Sequence, residues 1–298
     1  MSLASSEAND LNALQLETSA NPANIETKKV KVGDIDIAYK IFGSGKPLIL
    51  IPGFSMTMDM WDPNMLSGLS LEHMIVLFDN RGIGQTTAGN NTKQFSISQF
   101  ANDTAGLLSA LKIGGGNDEP VDILGISLGG FIAQEFALTY PDKVDRLMLF
   151  ASNCGKEAIP PQLDFLSLEE AKSTIMGNAS RDVFLSTLFP QQWISENLDY
   201  LEKYFAFSIG KISMQNLILQ AETTATWEGS CDRLSNVMNP TLIITGTDDV
   251  ISPPANSVNL AEKIPGAWLV QIKGGGHGLM FQYPDKVVEV LETFFQVT

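Results

Sequence analysis

The 298-residue sequence has only two cysteines, two histidines and 19 lysines and arginines, against 34 acidic residues. Two cysteines are too few for a disulfide-rich scaffold. The formal net charge of −15 and the lack of Lys/Arg clusters argue against a nucleic-acid partner, because phosphate binding needs clustered cations. No apolar run reaches the roughly 18 residues of a membrane-spanning helix. We therefore expect no nucleic-acid partner and no membrane span, whereas the composition does not indicate an oligomeric state.

The first 27 residues are rich in Ala, Ser, Asn and Glu and contain no apolar segment typical of a signal peptide. We expect this tail to be disordered or loosely docked. The cytoplasm is the default expectation for location, and export stays open if a signal peptide has been removed ahead of Met1. The rest of the chain, with 44% hydrophobic and 18% charged residues overall, is typical of a globular protein with one large α/β domain, with or without an inserted subdomain.

From Lys28 onward, short β-branched runs alternate with helical stretches. This alternation predicts an α/β fold with a mostly parallel central sheet and helices on both faces. It stops from about Cys154 to Asp232, where apolar residues recur at helical spacing, so we interpret this stretch as a helical insertion over one end of the sheet. The predicted strands are 29–32, 34–41, 48–51, 74–78, 121–126, 146–150, 241–245 and 268–272, and the main predicted helices are 98–111, 131–140, 254–263 and 284–295.

A G-x-S-x-G motif, Gly125-Ile126-Ser127-Leu128-Gly129, directly follows an apolar strand and precedes a helix. A sharp strand-to-helix turn strains the backbone of the serine and lifts its hydroxyl above the sheet. The helix N-terminus adds partial positive charge where negative charge would develop. The motif therefore predicts Ser127 as a nucleophile; the alternative is a glycine-rich turn with an exposed serine.

A serine hydroxyl needs a base to act as a nucleophile at neutral pH. His73 stands at the start of a predicted strand, away from the loops at the carboxyl edge of the sheet, and a structural or surface role is expected for it. His277 lies in a Gly-rich segment right after the last predicted strand, where the backbone can bend to bring the ring to the serine. We predict His277 as the general base.

The histidine needs a carboxylate that fixes its tautomer. Asp248 and Asp249 both follow the penultimate predicted strand, and from position alone either is a candidate. An oxyanion hole needs two preorganised N–H donors. The backbone N–H of Leu128 is expected to be one, and that of Phe54, in the loop after Ile51, the other.

Together these residues resemble the α/β-hydrolase superfamily, from about Lys28 to Phe295. The chain order Ser, Asp, His is that of this superfamily, and the resemblance of residues 245–253 to its acid loop favours Asp249 over Asp248. The loop 51–54 is similar to the oxyanion loop of the family, with Pro52 where a histidine is usual, which is tolerable because the loop contributes a backbone amide.

The segment 79–84 resembles the structural D-x-R-G-x-G segment of the family, so Asp79 and Arg81 receive no catalytic role. The resemblance also implies a core of residues 28–153 and 233–298 and a helical cap of residues 154–232. Cys154 and Cys231 would bracket that cap, which makes a disulfide between its hinges a hypothesis, the alternative being two reduced thiols. Candidate pocket residues are Phe54, Met56 and Met58 beside the oxyanion loop, and Phe165, Leu166, Met176, Phe184, Leu188, Phe189 and Trp193 in the cap.

Relatives that open epoxides or cleave carbon–halogen bonds carry Asp at the nucleophile position, so Ser127 argues against both reactions. The resemblance implies hydrolysis of a carboxylic ester or lactone of a small, largely apolar molecule, with no cofactor and no metal. Alternatives on the same triad are C–C bond hydrolysis, acyl transfer and cofactor-free perhydrolysis. Outside catalysis, the scaffold could serve as a small-ligand-binding protein or as a partner-binding module.

Overall fold

Eight strands form one sheet in a computed structural model that describes residues 24–90, 94–114, 119–163, 181–204 and 213–298. The strands are β1 (Lys28–Val32), β2 (Ile35–Gly43), β3 (Lys46–Ile51), β4 (His73–Phe78), β5 (Val121–Ile126), β6 (Val144–Phe150), β7 (Thr241–Gly246) and β8 (Trp268–Ile272). Their order across the sheet is β1-β2-β4-β3-β5-β6-β7-β8. The first two pairings are antiparallel and all the others are parallel. The expected tail of residues 1–27 lies outside the described residues except for residues 24–27.

The central strands are buried on both faces, as parallel strands covered by helices must be. The helices are α1 (Pro63–Leu69), α2 (Ile97–Leu111), α3 (Leu128–Thr139), α4 (Arg181–Leu188), α5 (Gln191–Glu196), α6 (Leu198–Tyr204), α7 (Met214–Thr226), α8 (Pro254–Lys263), α9 (Leu279–Gln282) and α10 (Pro284–Val297). One core cluster includes residues of α2, α3 and α8, and the other includes residues of α1 and α10. The sheet is thus covered on both faces, which confirms the predicted α/β fold. No helix among these described segments is long and apolar enough to cross a membrane.

The helix after Ser127 begins three residues earlier than predicted, at Leu128 instead of Phe131. Two adjacent glycines weaken the helical pattern there, but packing requires them. A Cβ at Gly129 would lie 2.1 Å from the carbonyl oxygen of Ile51, and one at Gly130 would lie 2.3 Å from Ser152 Oγ. The helix therefore starts immediately after the serine, and its first N–H groups lie beside that residue.

Both ends of the segment between β6 and β7 are held against α3. Cys154 and Cys231 form a disulfide with a Cα–Cα distance of 5.0 Å, so the disulfide hypothesis, rather than the reduced pair, agrees with the structure. The Ser230 N–H donates to the Cys154 carbonyl (2.9 Å). Gln134 of α3 donates to the Asn153 carbonyl (2.9 Å) and accepts from Ser230 Oγ (2.6 Å). The two ends of the segment that carries α4 to α7 thus lie next to each other and are both hydrogen-bonded to α3.

Candidate active site

Ser127 occupies a strained turn between the end of β5 and the start of α3. Its φ is 54° and its ψ is −118°, a conformation that costs a non-glycine residue roughly 1–3 kcal/mol unless the surroundings impose it. Its N–H donates to the Phe150 carbonyl (2.8 Å), and its carbonyl accepts from the Gly130 N–H (2.9 Å) and from Ser152 Oγ (2.9 Å). Ser127 is half-buried in an otherwise buried stretch from β5 into α3. The turn therefore presents this one side chain outward from the core.

Glycines bring the loop after β3 against this turn. A Cβ at Gly125 would lie 2.2 Å from the carbonyl oxygen of Gly129, so a larger residue would not fit across the turn. Gly129 also lies close to Ile51, the last residue of β3. In the loop that follows β3, a Cβ on Gly53 would lie 3.4 Å from Ser127 Cβ. The backbone of the 52–56 loop consequently lies beside the serine.

His277 follows β8 and is paired with a buried carboxylate. Its Nδ1 lies 2.9 Å from Oδ2 and 3.1 Å from Oδ1 of Asp249. Oδ1 of Asp249 also accepts the N–H groups of Ile251 (2.9 Å) and Ser252 (2.8 Å). These donors compensate a side chain that is fully removed from solvent. A carboxylate at Nδ1 favours the tautomer with its proton there, which leaves the Nε2 lone pair available as a base.

The neighbouring aspartate points elsewhere. Asp248 is exposed, and its carboxylate accepts from Thr247 Oγ1 (2.8 Å). Its N–H donates to the Gly275 carbonyl (2.8 Å), and this hydrogen bond joins the loop that carries Asp249 to the loop that carries His277. Of the two aspartates left open by position, the structure thus brings Asp249 and not Asp248 to the imidazole of His277.

Phe54 and Leu128, the two expected oxyanion donors, both line the cavity beside Ser127. The N–H of Leu128 belongs to the first residue of α3, and such groups have no acceptor within their own helix. The loop that carries Phe54 is fixed by two buried amide side chains. Asn80 Nδ2 donates to the Pro52 carbonyl (3.1 Å), and Gln220 Oε1 accepts the Ser55 N–H (2.7 Å).

Ser127 and His277 open onto one cavity of about 750 Å³. Most of its wall is apolar, contributed both by the core and by the segment between β6 and β7. Lys156 is the one lysine or arginine among the described lining residues, and none of these residues is acidic. The larger apolar side chains of the wall include Met56, Met60, Phe131, Leu188, Trp227 and Phe281.

The predicted pocket residues fall into three groups. Those that line the cavity are Phe54, Met56, Phe184 and Leu188. Those that lie in or against the core instead are Met58, Phe189 and Trp193. Those outside the described residues are Phe165, Leu166 and Met176.

Phe189 shows why an apolar residue near the cavity need not line it. Its ring packs edge-on against Phe281, with centroids 6.2 Å apart, and tilted against Trp193, at 4.9 Å. A Cβ at Gly278 would lie 2.3 Å from the same ring. Phe189 thus packs against the loop that carries His277, and Trp193 packs against Phe189.

Sequence reasoning missed several residues that shape the site. Trp227 stacks on Phe131 with ring centroids 4.6 Å apart, and its Nε1 donates to Glu135 Oε1 (2.9 Å). Asn80 lies inside the 79–84 segment that the sequence had already singled out. Gln220 and Trp227 had no such signal, because helical spacing does not tell which side chains face a cavity.

The 79–84 segment braces the site and does not line the cavity. Arg81 forms a two-bond ion pair with Asp103 (2.7 and 2.8 Å) and a further bond to Asp34 (2.9 Å). Burial raises the pKa of Asp79 to about 6, although its carboxylate accepts two backbone N–H groups, one of them from Gln85. No group of three or more potential metal ligands occurs in the part of the chain that the structure describes.

An α/β-hydrolase is defined by a mostly parallel sheet with helices on both faces, a serine on a strained strand-to-helix turn and a histidine–aspartate pair from the last two strand loops. The sequence from residue 49 to residue 283 matches the family model described as serine aminopeptidase, S33. The chain therefore belongs to the S33 family of α/β-hydrolases.

Several known proteins similar to this chain carry hydrolase names, and others, such as "Putative non-heme bromoperoxidase BpoC" of Mycobacterium tuberculosis at 27% identity over 275 residues, covering 88% of this chain and 98% of that protein, do not. This chain is 28% identical over 267 residues to "Putative carbamate hydrolase RutD" of Azorhizobium caulinodans, covering 88% of this chain and 96% of that protein. A structure described as "Est816 as an N-Acyl homoserine lactone degrading enzyme" is 25% identical, with a TM-score of 0.73 and coverage of 90% and 100%. The enol-lactonase of Burkholderia xenovorans LB400 is 20% identical over the same shares of the two chains, and its TM-score of 0.76 shows the shared fold alone. The likenesses support hydrolase activity.

Proposed function

We propose that this protein is a serine hydrolase that cleaves a carboxylic ester or lactone of a small, largely apolar molecule through an acyl-enzyme on Ser127. The proposal rests on one observation: Ser127 and His277 line the same apolar cavity, while the carboxylate of Asp249 is hydrogen-bonded to Nδ1 of His277. Each element of the triad comes from a different strand loop, and all three loops lie at the carboxyl edge of the sheet.

In the first step, Nε2 of His277 takes the proton of the Ser127 hydroxyl as the oxygen attacks the carbonyl carbon. The oxyanion then accepts from the N–H groups of Phe54 and Leu128, at a helix N-terminus that favours negative charge. His277 returns the proton to the leaving alcohol, which departs and leaves the acyl-enzyme. Water, deprotonated by the same nitrogen, then attacks that ester; as the bond to Ser127 breaks, His277 returns the proton to Ser127 Oγ and the acid is released.

The charge of the cavity argues against aminopeptidase activity, in spite of the description of the family. An aminopeptidase must hold the α-ammonium group of its substrate, and a desolvated cation requires a carboxylate partner. No described residue of the cavity wall has an acidic side chain, and the ammonium group of the one lysine there, Lys156, is paired with Glu228. Neutral substrates fit this wall better.

The same wall favours an apolar acyl or alcohol group. A carbamate, which the name of one relative implies for that protein, would use the same serine and oxyanion donors. Large apolar side chains of the wall, such as Phe131 and Trp227, however, stabilise a bound hydrocarbon group. The gain is roughly 0.8 kcal/mol for each CH₂ of the substrate that the cavity buries. The apolar wall therefore supports esters and lactones with hydrocarbon substituents.

We further propose that residues 154–232 act as a cap on a core of residues 28–153 and 233–298. Two facts support this. The cavity wall includes side chains from this segment at both its ends, from Gly155 to Trp227. The disulfide also holds the two ends of the segment together, and Ser230 at one of these ends is hydrogen-bonded to Gln134 of the core.

The proposal is tested with p-nitrophenyl esters of graded acyl length, matched lactones and an aminoacyl p-nitroanilide. We expect kcat/KM to rise by up to about fourfold per added CH₂ until the cavity is filled, and the anilide to be a poor substrate. Ser127→Ala is the control and should remove the ester activity by about a thousandfold or more. An anilide hydrolysed faster than every ester, or full ester turnover by Ser127→Ala, would contradict the proposal.

A further inference from the structure

Helix α7, from the segment between β6 and β7, lies directly against two loops of the core. Asn216 Nδ2 donates to the Gly82 carbonyl (2.8 Å), and one helical turn later Gln220 Oε1 accepts the Ser55 N–H (2.7 Å). Residues four apart share a helix face, so both amides are directed toward the core. One helix face thus contacts the 79–84 segment and the loop that carries Phe54.

Apolar packing ties the same helix to Phe54 itself. Leu217 of α7 and Ile83 of the core form a small buried cluster, and the half-buried ring of Phe54 packs against it. Phe54 is therefore held through its side chain by Leu217 and through the next peptide unit by Gln220. The loop is seated between the core and α7.

Gln220 is completely buried, and its two polar atoms differ sharply. Oε1 accepts the Ser55 N–H, whereas Nε2 has no hydrogen-bonding partner among the described residues. An orphaned buried amide nitrogen is costly, so packing alone does not explain a glutamine here. The acceptor oxygen is the part of this side chain that the loop uses.

The hydrogen bond between Gln220 and Ser55 lies one peptide unit away from the Phe54 N–H and so affects the direction in which that N–H points. That N–H belongs to the peptide unit whose carbonyl, on Gly53, accepts the Met56 N–H (3.3 Å). The unit after it is fixed by Gln220, at Ser55, whose φ of 56° lies in the left-handed region. A non-glycine residue keeps such a conformation only when its surroundings impose it.

We propose that Gln220 is a positioning residue for the candidate oxyanion hole, through which α7 orients the Phe54 N–H. The inference rests on the proposed function, because it takes Phe54 as an oxyanion donor. Gln220 acts through Ser55 and touches no reacting atom. Losing its acceptor should therefore slow the chemical step without weakening substrate binding.

Three variants separate the acceptor from the bulk of the side chain. Gln220→Met keeps the length and removes the acceptor. Gln220→Glu keeps Oε1 and replaces the nitrogen that has no partner with a second oxygen, and its kcat is measured as a function of pH because burial favours the protonated, uncharged form of the carboxyl. Gln215→Met makes the same change on the exposed face of α7 and is the matched control, and Gln220→Leu replaces the first variant should it fail to fold.

We expect Gln220→Met to lower kcat by about tenfold to a hundredfold, less than the loss of an oxyanion donor itself, with KM within about twofold. Gln220→Glu should recover kcat to within about threefold, and Gln215→Met should match the wild type. End-point labelling with a fluorophosphonate counts intact sites, so kcat is expressed per site. The rate of that labelling should fall in parallel with kcat, because the phosphoryl oxygen uses the same N–H groups.

The outcomes distinguish this inference from the proposed function. A Gln220→Met enzyme with wild-type kcat per site would overturn the inference, as would a Gln220→Glu enzyme as slow as Gln220→Met. A loss seen only in the number of sites labelled would assign Gln220 a folding role and also overturn it. If Ser127→Ala retained ester turnover, the proposed function would fail first.

Discussion

The two histidines of the chain both contact a carboxylate, yet they occupy opposite ends of the sheet. His277 follows the last residue of β8, at the carboxyl edge, whereas His73 is the first residue of β4, aligned with Lys46 at the start of β3. Both are largely buried, at 8% and 6% exposed. An imidazole–carboxylate contact alone therefore does not identify a catalytic base.

The partners of the two rings differ. His73 Nε2 lies 3.2 Å from Oε1 of Glu292, and its ring packs on Phe295 with centroids 4.4 Å apart. Its Nδ1 has no hydrogen-bonding partner among the described residues. His277, by contrast, contacts both oxygens of a carboxylate that two backbone N–H groups also fix. Its ring faces a cavity that contains Ser127.

The comparison shows that two features distinguish a candidate catalytic histidine from a structural one. The backbone must hold the partner carboxylate in place, and the second ring nitrogen must be accessible from a cavity. Glu292 is partly exposed, on a helix that covers the core, so its contact with His73 fastens α10 to the sheet. Asp249 is fully buried and oriented by its own loop. Substitutions at the two histidines and at nearby carboxylates test this contrast.

Replacing the two histidines by alanine should separate the two environments most strongly. We expect His277→Ala to lower kcat for a p-nitrophenyl ester by about a thousandfold or more, because the serine loses its base. His73→Ala should leave kcat within about twofold and change only the thermal midpoint, since the packing on Phe295 is lost. Comparable kinetic losses in both variants would break the comparison.

The two neighbouring aspartates test whether the backbone-held carboxylate matters. Asp249→Asn should lower kcat by about a hundredfold or more, though less than His277→Ala, because the asparagine no longer stabilises the imidazolium. Asp248→Asn should have little effect, since its exposed carboxylate contacts Thr247. Steady-state kinetics on both variants measure the ratio, and equal losses would contradict the assignment.

A third carboxyl shows what burial does to a group that is hydrogen-bonded to a backbone N–H and a hydroxyl. Asp62 caps α1, accepts the Met65 N–H (2.8 Å) and the Tyr200 hydroxyl, and is completely buried. Burial raises its pKa from 3.8 to about 6. A raised folded-state pKa means that the native state binds the proton more tightly than the unfolded chain does, so stability is lost as pH rises from about 4 through 6.

We therefore expect Asp62→Asn, which keeps a good cap, to gain stability relative to the wild type over that pH interval, by about 2–3 kcal/mol. The relative gain should be constant above about pH 7. Denaturant unfolding between about pH 4 and 8 measures it, with the exposed Asp199→Asn as the control for removing one negative charge. A difference between Asp62→Asn and wild type that does not vary with pH would contradict this account.

Much of the core could be predicted from its sequence because its signals are local. Apolar runs of four to eight residues between turn residues indicate buried strands, and the structure places a strand at each predicted position within two residues or so. The loops after β5, β7 and β8 follow from those strands, which is why position alone brought Ser127 and His277 to one edge.

The wall of the cavity could not be predicted in the same way. Met58 and Met60 are two residues apart in one short turn, yet Met60 lines the cavity and Met58 packs in the core. In the segment between β6 and β7, helical spacing indicates helices but not their orientation, so Phe184 and Phe189 looked equivalent. Gln220 was missed because a lone polar residue on an amphipathic helix carries no signal of its long-range partner.

The most direct test of the proposed triad is the rate at which a fluorophosphonate labels the protein, with the modified residue identified by mass spectrometry of its peptides. The account predicts label on Ser127 in the wild type and in His73→Ala at similar rates, and slowing by about a thousandfold or more in His277→Ala. Label on another residue, or unchanged labelling of Ser127 without His277, would contradict it.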